Sequence, residues 1–424
     1  MQVLIYISQT YAVVLFIFLL IYLIRHFMFT FNRMYGEQKN YYHDIIDDEW
    51  PSLTVILPMH NEEAVASEIL DRLLASDYPK DKLEIIPVND HSDDKTEEIL
   101  ESYALSYDYI KPYHRRTDAE ERGKAQSLNE VMEFCQGEII VVFDADYEPP
   151  KGILRALVVG FKDPEIGAVM GRVLVKNTDK NLLTMMLDLE RSGGYQVGQQ
   201  ARYNLDLFPQ YGGTVGAYRR KVLVKLGGFD PKILAEDTEL TFKMFLHGWK
   251  VAYANKAECY EEAPESWHGR ANQVRRWSRG HNQVMYRYLF PLMVSKYLSL
   301  RQKIDGLKLL FVYILPFALF VGILNSIFLF FVDEMTLINS LTALIIILAM
   351  NAFGNFAPFF QLAMSNFIDG RVASLKLIPV FAFNFVLYMY YASLGFIDSL
   401  IDLVTRRNVN WVKTPRHRGG SGHE

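Results

Sequence analysis

Cysteine is nearly absent: 424 residues contain two, Cys135 and Cys259. They match no zinc or thioredoxin spacing, which argues against a disulfide framework and a cysteine metal site and for two reduced thiols facing the cytosol. A basic excess is also missing. Forty-four Lys and Arg against 49 Asp and Glu leave a net charge of −5, so no broad surface is built to displace the counterions of a nucleic acid. Charge of either sign is sparse at 22%, against 50% hydrophobic residues, a balance that disfavours a purely soluble chain. There is no internal repeat and no low-complexity segment, and the length excludes a single small binding module.

What the chain has instead is long apolar runs at both ends. Val3 to Ile24 carries no Asp, Glu, Lys or Arg, is long enough to cross about 30 Å of hydrocarbon, and is followed by Arg25, His26, Arg33 and Lys39. Without a basic n-region or a small-x-small cleavage site it reads as a retained anchor over 1–30, with Arg25 on the cytoplasmic side, rather than a signal peptide. Leu309–Val332, Met335–Ile368 and Leu377–Ile397 follow, forming a C-terminal membrane region over 306–404. The middle run overshoots a bilayer and is expected to tilt, or to break near Gly354 and Pro358. Three single crossings would place the C-terminus outside, yet the tail over 405–424 holds Arg406, Arg407, Lys413, Arg416 and Arg418, which favour the inside. One run is therefore expected to double back or to lie in the interface. Residues 284–305 read as an amphipathic helix on the inner leaflet.

Between 48 and 283 the pattern changes to short β-branched runs, Leu53–Leu57, Leu83–Ile86 and Ile139–Phe143, alternating with helical stretches after Glu62, Asp93 and Lys124. This is a βαβα order with a largely parallel sheet, in which ligands gather at the carboxyl ends of strands. Those ends carry Pro58, Asn61 and Glu62, then Asp90, then Asp144-Ala145-Asp146. Two carboxylates one residue apart can meet a divalent cation and, through it, a diphosphate, although a D-x-D can equally be a solvated turn. Asp90 can accept hydrogen bonds from a base or ribose, or serve an Asx turn that caps the helix near Asp93. Arg122-Gly123-Lys124 opens a helix with two cations suited to phosphate, or forms a surface charge cluster. Glu236-Asp237 starts another helix, as a general base or as helix-dipole partners. Gln273-x-x-Arg276-Trp277 offers a flat ring and forked donors for a sugar phosphate, or an interfacial anchor.

In order, Asp90, Asp144-x-Asp146, Glu236-Asp237 and Gln273-x-x-Arg276-Trp277 resemble the D, DxD, ED, QxxRW series of membrane-embedded family 2 glycosyltransferases, which include cellulose, hyaluronan and poly-N-acetylglucosamine synthases. Pro58-x-x-Asn61-Glu62 and Arg122-Gly-Lys-Ala125 agree, and Gly212–Arg220 looks like the family's acceptor-side loop. The resemblance implies an α/β nucleotide-diphosphosugar (GT-A) fold with a mixed, mostly parallel sheet fused to transmembrane helices. It implies that Pro58, Asn61, Glu62, Asp90, Lys124 and Asp144 bind a UDP-sugar, that Asp144 and Asp146 hold Mg2+ or Mn2+, that Asp237 with Glu236 is the catalytic pair, and that Gln273, Arg276 and Trp277 line the acceptor and diphosphate side. His91 stands where relatives commonly carry Gly, and Leu234-Ala-Glu236 departs from the commoner Thr-Glu.

The expectation is a plasma-membrane, multi-pass, inverting and processive β-glycosyltransferase with a cytoplasmic catalytic domain. It would polymerise UDP-N-acetylglucosamine or UDP-glucose and pass the glycan through the membrane, where Asn325, Asn351, Asn355, Gln361 and Asn384 line a path or bond between helices. Its partners would be the growing glycan, membrane lipids and an accessory or export subunit, without nucleic acid. The alternative is a non-processive enzyme that makes a glycolipid, and a scaffold without activity is the rival from another class.

Overall fold

The computed structural model describes residues 1–39, 49–116, 123–210, 212–334 and 356–405. Its centre is a seven-stranded sheet of β1 (Leu53–Met59), β2 (Leu83–Asn89), β3 (Tyr113–His114), β4 (Ile139–Val142), β5 (Ile166–Val175), β6 (Gly216–Arg219) and β7 (Lys250–Glu261), in the order β3-β2-β1-β4-β6-β5-β7. β6 pairs antiparallel with β4 and β5, and the other pairings are parallel. The mostly parallel, mixed sheet expected above is thus present. β1 lies between β2 and β4, with Leu53 opposite both Leu83 and Ile139, so strand order reverses there and a crevice opens at the carboxyl ends. Because β6 is antiparallel, its entry loop reaches the same edge.

Continuous apolar strands demand cover on both faces. Val55, Leu57, Ile139 and Val141 face one core with Ile69 and Leu73 of α2 (Ala66–Leu74) and Leu154 and Leu157 of α5 (Ile153–Val158). Ile56, Ile140 and Val142 face the other, with Leu128 of α4 (Lys124–Met132), Phe242 of α9 (Glu236–Leu246) and Val284 of α10 (Trp267–Val294). α3 (Thr96–Ala104) follows β2. α6 (Leu182–Ser192), a π-helical turn (Gly193–Gln199) and α7 (Gln200–Asn204) precede β6, and α8 (Arg220–Lys225) follows it. Both cysteines are free and buried.

α1 (Gln2–Tyr35) has 34 residues and a length of about 51 Å, more than a bilayer core needs. Its last turns pack on the sheet domain: Phe29 contacts Val197 and Ala201, and Arg33 donates to the Gln196 carbonyl at 3.0 Å. α11 (Leu300–Leu310), α12 (Ile314–Phe331), α13 (Phe356–Ile368) and α14 (Ile378–Thr405) complete the described chain. Among the described residues three helical segments are long and apolar enough to cross a membrane: Gln2–Tyr35, Ile314–Phe331 and Val372–Thr405. The run Met335–Ile368 is described only from residue 356, and its first part, the tail over 406–424, Asn351 and Asn355 lie outside the described residues. α14 is tied to the sheet domain at both ends. Phe381 packs with Met186 and Leu189 of α6, and Asp398 and Asp402 pair with Arg275 and Arg279 of α10.

Residues 284–305, expected as one surface helix, instead form the end of α10 and the start of α11, so the boundary at 284 falls inside a continuous helix. Val284, Met285, Tyr288 and Leu292 are buried in the protein core, while Phe290 and Met293 remain exposed. An apolar stripe has the same spacing whether its partner is lipid or protein, so its spacing does not reveal that part of it is spent on the core. Of the membrane amides, Asn325 donates to the Ser8 carbonyl at 3.0 Å, an interhelical bond, and Gln361 donates to the Gly193 carbonyl at 2.9 Å.

Candidate active site

The ends of β1, β2 and β4, the loop before β6, the start of α9 and one face of α10 surround a single cavity of about 800 Å³. Each site residue expected from the sequence lines it except Asn61. Asn61 instead laces two loops together. With φ of 52°, it accepts from the Asp93 N–H at 2.8 Å and donates its own to Ser92 Oγ at 2.9 Å. Pro58 and Glu62 are left facing the cavity.

Asp90 does not cap α3; it lines the cavity with its carboxylate already held by protein donors. Its carboxylate accepts from Arg115 Nη1 at 2.5 Å, from His91 Nδ1 at 2.8 Å and from the Gly123 N–H at 3.1 Å, while Asp94 takes the Thr96 N–H at the helix start. The left-handed backbone at His91, φ 57°, explains why glycine suits that position, and the bond to Asp90 partly offsets the strain. Arg122 lies outside the described residues.

Gly123, at φ 145°, turns the chain so that Lys124 opens α4 over the end of β4. Lys124 Nζ donates to Asp144 Oδ1 at 2.5 Å and to the Gly213 carbonyl at 2.6 Å. The Asp144 N–H donates to Thr214 Oγ1 at 3.2 Å. Lys124 thus clamps the D-x-D turn to the loop before β6. Burial works against its ammonium, but Asp144 and Glu236 outweigh it and hold its pKa above the ordinary lysine value. In that loop Val215, β-branched and fully buried, has φ of 51°, a strained conformation of a kind that clusters at functional sites.

Glu236 and Asp237 begin α9 without a side-chain cap at Ala235. Asp237 Oδ1 accepts from the Thr238 N–H at 2.6 Å, so this acid also satisfies the helix terminus. Its Oδ2 faces Gly213, where φ is 80° and an added Cβ would lie 3.2 Å away. Gly213→Ala is expected to lower kcat at least tenfold while costing about 1–2 kcal/mol of stability, read by steady-state kinetics beside thermal unfolding. Burial raises the pKa of both acids, with Glu236, which also feels Asp237, pushed up to about 7. A carboxyl whose folded pKa exceeds its unfolded value of 4.5 contributes stability that is present below pH 4.5 and lost as pH rises to about 7. Glu236→Gln is therefore expected to raise the melting temperature at pH 8 and to leave it nearly unchanged at pH 4.5.

On α10, Arg276 has no hydrogen bond or ion pair among the described residues. Burial lowers its pKa against the opposing pull of Glu236, Asp237 and Asp144. Gln273 accepts from Arg270 Nη1 at 2.8 Å, and Arg270 forks onto Glu190 at 2.6 and 2.7 Å. The Trp277 ring is already engaged: the guanidinium carbons of Arg270 and Arg191 lie 5.1 and 5.2 Å from its centroid. Arg191 in turn bonds Glu261, which accepts from the Tyr147 hydroxyl at 2.7 Å. Gly213 lies in the Gly212–Arg220 loop that the sequence singles out, whereas Arg115 and Arg191 carry no signal in the sequence.

Asp144 and Asp146 both line the cavity one residue apart at a strand end. Among the described residues no group of three or more His, Cys, Asp or Glu side chains forms a cage for a metal ion. One or two carboxylates completed by substrate phosphates are the usual setting for Mg2+, and this donor set fits.

Residues 51–280 match the glycosyltransferase-like family 2. The chain is 35% identical over 279 residues to the probable glycosyltransferase YdaM of Bacillus subtilis, covering 66% of this chain and 65% of that protein. It is 32% identical over 285 residues to the beta-monoglucosyldiacylglycerol synthase of Synechocystis, covering 63% of this chain and 56% of that one. It thus spans less than two thirds of the length of these relatives. In structure it resembles the mannosyltransferase PcManGT of Pyrobaculum calidifontis, solved with GDP-Man and Mn2+, at a TM-score of 0.59 and 22% identity over 88% of this chain and 98% of that one. With a seven-stranded mixed sheet and the family match over more than half its length, the chain belongs to glycosyltransferase family 2 and has the GT-A fold.

Proposed function

We propose that this enzyme transfers one sugar from a UDP-sugar to a hydroxyl of a membrane lipid, with inversion to a β-linkage. The observation that carries this reading is the composition of the cavity wall. It joins the acidic set at the sheet edge to Arg25 of α1, Tyr313 at the head of α12 and Gln361 of α13, so an acceptor can reach the site from the bilayer. A volume of about 800 Å³ lies within the range of about 300–1,000 Å³ for small-molecule sites. Relatives named as glucosyldiacylglycerol synthases support a lipid acceptor.

In this reading Pro58, Glu62 and Asp90 shape the nucleotide side, with Asp90 fixed by Arg115. Asp144 and Asp146 hold Mg2+ or Mn2+, which when bound neutralises part of the diphosphate charge. Lys124 and Arg276 supply protein cations to the same diphosphate. Asp237 accepts the acceptor hydroxyl proton as the oxygen attacks the anomeric carbon in line and the bond to the diphosphate breaks. Glu236 keeps the pair's charge low until that proton moves. Gln273 and Trp277 form the acceptor wall. Arg25, Arg33 and Lys39 at the domain-side end of α1 favour a cytoplasmic catalytic domain at the plasma membrane, between the anchor over 1–30 and the membrane region over 306–404.

The second reading, processive polymerisation with an export subunit, is favoured by one observation: Gln273, Arg276 and Trp277 all face the cavity, as the resemblance to polymer synthases implies. Product size separates the two. Purified full-length protein with diacylglycerol and phosphatidylglycerol micelles, a panel of UDP-sugars and Mg2+ or Mn2+ is expected to release UDP. The product should carry one or two sugars and extract into organic solvent. A high-molecular-weight, water-soluble product would overturn the lipid reading, and no UDP release from any donor would overturn both.

A further inference from the structure

The cavity has two electrically unlike ends. At the sheet edge carboxylates predominate. At the membrane end stand Arg25 of α1 and Arg202 of α7, and the catalytic assignments above use neither.

Arg25 has no hydrogen bond or ion pair among the described residues. Its Nε is buried without a partner, and its guanidinium carbon lies 5.8 and 5.1 Å from the ring centroids of Tyr22 and Phe29. Arg202 is 5% exposed and stands 5.8 Å from the same Phe29 ring. It faces one carboxylate, Asp305, whose Oδ2 lies 3.4 Å from the Arg202 Nε. Burial lowers the Arg202 pKa to about 10, Asp305 opposes the fall and Arg25 adds to it, so Arg202 stays charged at neutral pH. The nearby His281 is held neutral, pushed down to about 4 by burial. Two guanidinium groups against one carboxylate leave an uncompensated positive charge among aromatic rings, an arrangement that is costly unless an anion completes it.

The position of that charge narrows the class of anion. Arg25 directly follows the uncharged run Val3–Ile24, so it sits where hydrocarbon gives way to headgroups. A guanidinium fork matches phosphate oxygens. We propose that Arg25, backed by Arg202, forms an anion grip at the membrane end of the cavity, and that the acceptor is a lipid bearing both a free hydroxyl and a phosphate. This inference rests on the lipid-acceptor reading above for its catalytic half and stands on binding alone for the other.

The test uses the full-length protein in maltoside micelles, which carry no phosphate, with fluorescent phosphatidylglycerol and fluorescent diacylglycerol of equal acyl length. The wild type is expected to bind phosphatidylglycerol at least tenfold more tightly. Arg25→Gln should bring the two affinities within twofold, and Arg25→Lys, which keeps the charge, should retain a preference. Retained UDP binding by the Gln variant shows that the domain is folded. In turnover, Arg25→Gln should raise KM for phosphatidylglycerol at least tenfold with a smaller change in kcat. Displacement of the label by soluble glycerol 1-phosphate at equal concentration would keep the phosphate grip but move its source from lipid to solution. Equal binding of the two lipids by the wild type, or a preference that survives Arg25→Gln, would overturn the grip. Phosphatidylglycerol that is bound but never glycosylated, while diacylglycerol is, would overturn the acceptor assignment. Because binding needs no turnover, an enzyme that releases no UDP would sink the proposed function and leave the binding result to decide this inference.

Discussion

Asp237→Asn is expected to lower kcat by about 100- to 10,000-fold with UDP affinity within twofold of wild type. The amide keeps the oxygen that accepts from the Thr238 N–H, so α9 stays capped, but it cannot take a proton from an attacking hydroxyl. Burial raises the pKa of Asp237 and of Glu236 beside it, the latter to about 7. Activity of the wild type should therefore rise with pH along an acidic limb whose apparent midpoint lies near neutrality and belongs to the pair. In Asp237→Asn that limb should flatten. A kcat within threefold of wild type, with the limb unchanged, would remove Asp237 from the base role.

Arg115→Met is expected to destabilise the protein by about 3–5 kcal/mol, read as a fall in the denaturant midpoint. The Arg115 side chain is fully buried and bridges Asp90 at 2.5 Å and Glu130 at 2.8 Å. Removing it leaves the carboxylate of Asp90, itself 8% exposed, without its main countercharge, and that unpaired charge is the larger part of the cost. The double variant Arg115→Met with Asp90→Asn should recover part of the loss, because the orphaned charge goes with it. UDP binding should weaken in both. If Arg115→Met unfolds at the wild-type midpoint, the buried bridge is not what fixes the loop after β2.

Strand ends were readable in the chain because a parallel sheet buries both faces. Runs such as Ile139-Ile-Val-Val142 can be little else, and the polar residues after them must gather at one edge. Asp90, Asp144 and Asp146 were found in that way, and Glu236-Asp237 by the helix that follows. What those residues do with one another was not readable. Asp90 reads as a nucleotide ligand or a cap; it lines the cavity, and the arginine 25 positions away that holds its carboxylate is not legible beside it. Trp277 looked like an open sugar platform, and two arginines from α6 and α10 already lie against it. The stripe over 284–305 reads as one surface helix; it is two, and Val284, Tyr288 and Leu292 are spent on the core while Phe290 and Met293 stay exposed.

By itself, then, the sequence determined the alternation of strand and helix, the apolar segments at either end and the acidic residues at the sheet edge. Each follows from periodicity and burial over a few neighbouring positions. The tertiary structure alone decided which charges meet: Lys124 sits on Asp144 and Arg115 on Asp90, while Arg276 and Arg25 have no ion pair among the described residues. Those pairings join positions 20 and 25 residues apart, and their energies depend on distance and desolvation, which no local pattern of residues encodes.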